Sequence, residues 1–129
     1  MKQVTKRFGE VVANDAVDFE LRRGEILSLL GENGSGKTTL MNMLSGIYYP
    51  DGGQIYINGK AVNIRSPKDA FDLGIGMIHQ HFKLVDVFTA AENIVLGLNE
   101  GGMLDRKAIA AKVKEISDRY GFDIDPNQK

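Results

Sequence analysis

Ten residues constrain this chain more than any others: Gly31-Glu-Asn-Gly-Ser-Gly-Lys-Thr-Thr-Leu40. The residues Gly31, Gly36, Lys37 and Thr38 fill the pattern G-x-x-x-x-G-K-[S/T], and Asn33, Gly34 and Ser35 complete the loop between them. Glycines let the backbone curl into a nest of N–H donors around phosphate oxygens, and a helix that starts at the end of the nest aims its dipole at the same anion. Lys37 would then set a point charge on the β- and γ-phosphates, and the Thr38 hydroxyl would help hold Mg²⁺. That chemistry requires a strand before the loop and a helix after it. Ile26-Leu-Ser-Leu-Leu30 is almost continuously apolar, as expected of a strand buried on both faces of a parallel sheet. A helix fits Lys37 to Ser45, because Leu40, Leu44 and Ile47 recur at helical spacing and Gly46 can end it in the left-handed conformation.

The remaining elements are read from punctuation and period. Val17 to Arg22 alternates apolar and charged residues and reads as a half-buried strand. After the Pro50-Asp-Gly-Gly53 turn cluster, Gln54 to Ile57 and Lys60 to Ile64 flank Asn58-Gly59, the strongest short hairpin signal. Ser66-Pro67 opens a short helix that Gly74 closes, and Ile75 to His79 reads as a further strand. Thr89-Ala-Ala-Glu92 is a capping box for a helix through Leu96, and Asp105 caps a longer one through Tyr120, ended by Gly121. On that helix Ile109, Val113, Ile116 and Tyr120 form the stripe expected to face a core, with Lys107, Lys112, Lys114 and Asp118 solvated.

Global properties narrow the class. The chain has 129 residues, a net charge of −1 and no cysteine, so there is no disulfide framework or Cys-based zinc site, and no charge excess directs it to nucleic acid. His79 and His81 stand two apart at a strand end without further ligands and read as solvated or packed residues rather than a metal site. No apolar run approaches the roughly 18–20 residues that cross a bilayer, so the chain is expected in the cytoplasm.

The order of these pieces, with β-like segments before the phosphate loop and an Asn-Gly hairpin after its helix, resembles the nucleotide-binding subunit of an ATP-binding cassette (ABC) transporter. The wording resembles it too, in "GENGSGKTTLMNMLSGIYYPDGGQIYINGK" and in "GMIHQHFKLVDVFTAAENIVLG". The likeness covers nearly the whole chain, and the His79-Gln80-His81, Leu84-Val85-Asp86 and Thr89-to-Gly97 segments look most like importers of simple sugars or nucleosides. It implies an α/β P-loop NTPase fold of the ABC ATPase type: an N-terminal antiparallel β subdomain with part of the P-loop core over 1–83, and the start of a helical subdomain over 84–129. ATP and Mg²⁺ are the implied cofactors. The implied partners are transmembrane permease subunits, a second nucleotide-binding domain and, indirectly, a solute-binding protein, at the inner face of the cell membrane. By the same resemblance Phe8 stacks on adenine, Thr39 adds a hydroxyl near the α-phosphate, and Gln80 contacts Mg²⁺ and the attacking water. Read from the residues alone, Phe8 is ordinary edge-strand packing, Thr39 a first-turn helix residue and Gln80 a polar strand end.

Hydrolysis in that family also needs an apolar strand ending in Asp-Glu, a histidine loop and a Leu-Ser-Gly-Gly-Gln signature, and none occurs in these residues. "LSGIYY" at Leu44 to Tyr49 ends the phosphate-loop helix and is not that signature. The sequence is therefore expected to be a truncated, N-terminal portion of the fold that binds but does not turn over ATP, with an uncovered sheet edge inviting self-association. Two other classes compete. A non-catalytic ATP-binding regulatory module would use the same loop, and a small-molecule P-loop kinase would need an arginine-rich lid, against which Arg65, Arg106 and Arg119 are scattered.

Overall fold

The computed structural model describes residues 1–79, 84–96 and 105–128 and divides into two compact units, Met1–Ile78 and His79–Lys129. In the first, strands β1 (Lys2–Phe8), β2 (Val11–Val17), β3 (Gly52–Ile57) and β4 (Lys60–Val62) form an antiparallel sheet in the order β2-β1-β3-β4. The β3–β4 turn has φ of 51° at Asn58 and 77° at Gly59, the two positive angles that Asn-Gly supplies, and it pairs Ile57 with Lys60 as expected. Strands β1 and β2 were not marked out by period. Their register shifts repeatedly, so the buried positions Val4 and Asn14 do not fall in a simple alternation. The alternation over Val17–Arg22 belongs to this sheet only at its start: Phe19 exchanges backbone hydrogen bonds with Met1 at 3.1 and 2.6 Å. Beyond it no ladder forms among the described residues.

Helix α1 (Lys37–Leu44) lays Leu40 and Met43 on the sheet, where they meet Val4, Ile55, Ile64 and Ala70. Met43 and Val4 are wholly buried, each worth about 1.5–3 kcal/mol by apolar transfer. Helix α2 (Pro67–Asp72) starts as its sequence dictates, with the Ser66 hydroxyl accepting from Asp69 N–H at 3.2 Å and proline at its first position.

Two expected strands are absent. Ile26–Leu30 and Ile75–His79 pair with no strand among the described residues, and Ile26, Leu30 and Ile78 are 98, 89 and 85% exposed. A doubly buried strand is defined by neighbours on both edges and cover on both faces. Among the described residues Ile26–Leu30 has neither, so its apolar run leads into the phosphate loop outside any ladder.

In the second unit, helix α3 (Ala90–Val95) carries the full capping box: Thr89 accepts from Glu92 N–H and Glu92 accepts from Thr89 N–H at 2.9 Å. Asn93 clamps the preceding loop through both backbone groups of Val85, at 2.8 and 3.2 Å. Helix α4 (Arg106–Tyr120) begins on the Asp105 cap and ends at Gly121. Its buried face differs from the apolar stripe. Val113 and Ser117 are buried, whereas Ile116 and Tyr120 are exposed. The tail decides this: Ser117 Oγ donates to Phe122 O at 2.6 Å and accepts from Ile124 N–H at 3.2 Å, drawing the chain back across a small residue. Among the described residues, no helix is long and apolar enough to cross a membrane.

Candidate functional site: the phosphate cradle

The loop from Gly31 to Gly36 joins the Ile26–Leu30 segment to α1, and its curvature comes from residues that tolerate positive φ. Gly34 has φ 84° and Gly36 φ 87°, with Gly36 serving as the N-cap of α1. A glycine cap offers no side-chain acceptor, and the first turn holds no acid. The helix therefore presents its leading N–H groups without a competing carboxylate, which suits an anion from outside.

Lys37 lies over the loop. Its ammonium donates to Gly31 O at 2.7 Å, to Glu32 O at 2.6 Å and to Ser35 Oγ at 3.4 Å. The cation thus sits among the carbonyls of the loop it follows, where a phosphate would meet both it and the helix terminus. Gly31 and Ser35 approach closely: a Cβ on Gly31 would stand 2.8 Å from Ser35 Oγ. Asn33 and Thr38 are exposed, and Thr39 is half-buried in the first turn. The residues read as a cradle therefore stand together, and the donor set of one ammonium, hydroxyls and helix N–H groups fits a polyphosphate with its divalent cation.

Phe8 belongs to another part of the same unit. It ends β1, is 42% exposed, meets the Tyr48 ring edge-on at 5.0 Å and 72°, and carries Lys6 Nζ at 5.6 Å from its centroid. Lys6 is held in turn by Tyr49 O at 2.8 Å and Asp51 at 3.0 Å. The Arg7 N–H, then the Lys6 ammonium, hold the Asp51 carboxyl below the usual carboxylate range. Phe8 is thus partly packed, as the residue-level reading had it, yet keeps open surface for a flat partner. Gln80 lies outside the described residues, as does His81, and His79 is exposed.

Sequence reasoning missed what backs the cradle. Strand β2 runs against Gly36, where an added Cβ would meet Ala13 O at 2.3 Å and the Asn14 amide nitrogen at 2.8 Å. Asn14 Nδ2 donates to Gly36 O at 3.3 Å. The only sequence signal was a polar residue inside a β-like segment, which by itself marks nothing.

Residues 14–129 match the family model described as ABC transporter. The chain belongs to the ABC transporter family. Solved ABC structures share the fold: MJ1267, an ATP-binding cassette of an ABC transporter, superposes with a TM-score of 0.80 at 25% identity over 99% of this chain and 55% of its own. The ATP-binding cassette MJ0796, a dimeric post-hydrolysis state bound to ADP and Pi, gives 0.72 at 26% identity over 99% of this chain and 60% of its own. Among curated ABC relatives, the nucleoside import ATP-binding protein NupA of Lactococcus lactis is 55% identical over 98% of this chain. The guanosine import protein NupO of Bacillus subtilis is 53% identical over 100%, and the ribose import protein RbsA 1 of Rubrobacter xylanophilus 50% over 100%. The chain spans about a quarter of the length of these relatives, 26% in each case.

Proposed function

We propose that this chain supplies the phosphate-gripping part of an ATP-driven importer of nucleosides or related sugars, an ATPase acting at the inner face of the membrane with permease subunits, a second nucleotide-binding domain and, indirectly, a solute-binding protein. The observation that carries it is the junction of the positive-φ loop with the uncapped α1 terminus, with the Lys37 ammonium held over that loop. The names of NupA and NupO, both above 50% identical to this chain and called nucleoside and guanosine importers, support the substrate class.

The residues divide the work by chemistry. Gly31, Asn33, Gly34, Ser35 and Gly36 offer backbone donors to the phosphates, and Lys37 offsets their charge. Thr38 and Thr39 place hydroxyls in the first turn, Thr38 toward the cation and Thr39 toward the α-phosphate. Phe8 offers a ring to the base. Thr38 and Gln80 would hold Mg²⁺, which would supply charge neutralisation at the phosphates. Gln80 would orient the attacking water once a carboxylate is supplied. These residues hold no apolar strand ending in Asp-Glu, so the 129-residue chain is expected to bind without turnover.

Calorimetric titration of the chain with MgATP, beside Lys37→Ala and with a phosphate-release assay on the same samples, tests this. Binding weakened at least about a hundredfold by Lys37→Ala is expected, since a charge-assisted contact to phosphate is lost. Equal affinity in the two proteins would refute the cradle. Phosphate release above the mutant's background would refute the division between binding and turnover.

A further inference from the structure

We infer that Asn14, on β2, is a positioning residue of the phosphate cradle: its side-chain amide pins the Gly36 carbonyl and so fixes the direction in which α1 presents its first turn. The inference rests on the reading of the loop as a nucleotide site.

Gly36 O already accepts the first helical bond, from Leu40 N–H at 2.9 Å. Asn14 Nδ2 reaches its other lone pair at 3.3 Å. The Gly36 carbonyl is thus shared between the helix it starts and the strand behind it. The left-handed φ of 87° at Gly36 allows this approach, with Ala13 O packed where a Cβ would stand. No other side-chain hydrogen bond between β2 and the loop is found among the described residues.

The amide is poorly placed for stability. Asn14 is 7% exposed, and its Oδ1 is buried with no hydrogen-bond partner among the described residues. A buried acceptor left unsatisfied opposes folding, while a single long neutral bond contributes little in return. An apolar side chain of the same size would satisfy the fold better. It would not hold the Gly36 carbonyl. Asn14 therefore acts on placement, and the β1–β2 pair that carries Phe8 at its turn end reaches the phosphate cradle through Asn14, opposite Lys6.

These two roles move in opposite directions under one substitution. Asn14→Leu keeps the volume, removes the orphaned acceptor and removes the pin. Titration with MgADP and thermal melting of the ligand-free chain are read together, with Lys37→Ala alongside. The expected result is an affinity about fivefold to tenfold weaker, the loss of one neutral hydrogen bond's worth of placement, with a ligand-free melting temperature equal to or above that of the parent. Unchanged affinity with a lower melting temperature would overturn the inference, as would affinity and melting falling together. If Asn14→Leu does not fold, Asn14→Ala decides on the same two readouts, where weaker binding without proportionate loss of melting supports the pin and a parallel loss overturns it. If Lys37→Ala leaves binding intact, the cradle reading fails and this one falls with it. If Lys37→Ala weakens binding and neither Asn14 variant does, only the pin is refuted.

Discussion

Replacing Gly36 by alanine should damage this protein more than replacing Gly34, although both glycines have nearly the same backbone. Their φ angles are 87° and 84°, so either substitution forces an L-residue into the left-handed region at about 1–2 kcal/mol. Their surroundings differ. A Cβ at Gly34 meets nothing within 4 Å, whereas at Gly36 it stands 2.3 Å from Ala13 O and 2.8 Å from the Asn14 amide nitrogen, against an ordinary contact of 3.4 Å or more. The obstacle at Ala13 is backbone in β2, which pairs with β1 at Arg7↔Val12 and Lys6↔Asn14 and cannot give way alone. Overpacking of that kind adds about 1–3 kcal/mol. Gly36→Ala should therefore cost about 2–5 kcal/mol and Gly34→Ala about 1–2 kcal/mol. Urea denaturation of both variants at constant m-value measures the difference. MgADP affinity should fall further in Gly36→Ala, because movement of the loop carries the α1 terminus with it. Equal destabilisation within about 0.5 kcal/mol would show that β2 does not buttress the cradle, and the reasoning would fail.

Three further outcomes are expected. Asp18, Asp51 and Asp69 all have carboxyls held below their usual value, led in each case by a backbone N–H bond, from Gln3, Arg7 and Arg65 respectively. Their stabilisation is therefore in place above the ordinary value of 3.8 and is lost as pH falls through the lower folded values; urea melts between pH 7 and pH 2 should show this, and Asp51→Asn should flatten the acid limb. Thr89→Ala removes the acceptor for Glu92 N–H and half of the capping box, so the second unit should lose about 1 kcal/mol by denaturant titration. The exposed Ile26, Leu30 and Ile78 side chains should make the chain self-associate at micromolar concentration in light scattering. Ile26→Glu with Leu30→Glu should restore a monomer without lowering the melting temperature, and a parent chain that is monomeric throughout would refute this.

What the sequence made legible follows from the range of the forces involved. The Asn58-Gly59 turn, the Ser66-Pro67 start, the Thr89 capping box and the Asp105 cap are decided by neighbours within a few residues, and each stands where its residues predict. The phosphate loop is equally local: its glycines, Lys37 and α1 lie in one continuous stretch. Ile26–Leu30 and Ile75–His79 were read as strands from apolarity alone. A strand needs a neighbour, and apolarity does not say whether one is there. The α4 stripe failed for a related reason, because Ser117 owes its burial to the Phe122–Ile124 turn rather than to its own polarity. Asn14 was invisible because its partner is a backbone carbonyl on a different element, and carbonyls leave no trace in a sequence.

The pairing of β1 with β3 bears on how the cradle forms in time. The β3–β4 hairpin closes locally and can form within microseconds, whereas Thr5 must find Gly52 across all the intervening chain. That chain contains the phosphate loop and α1. The docking of Met43 on Val4 and Ile55 thus waits on the longest-range pairing in the sheet, whose loop-closure entropy precedes the contacts that repay it. A nucleotide that orders the loop only after this closure would leave the folding rate unchanged and slow unfolding instead. The ligand would then act as a latch on the finished unit rather than as a template for it.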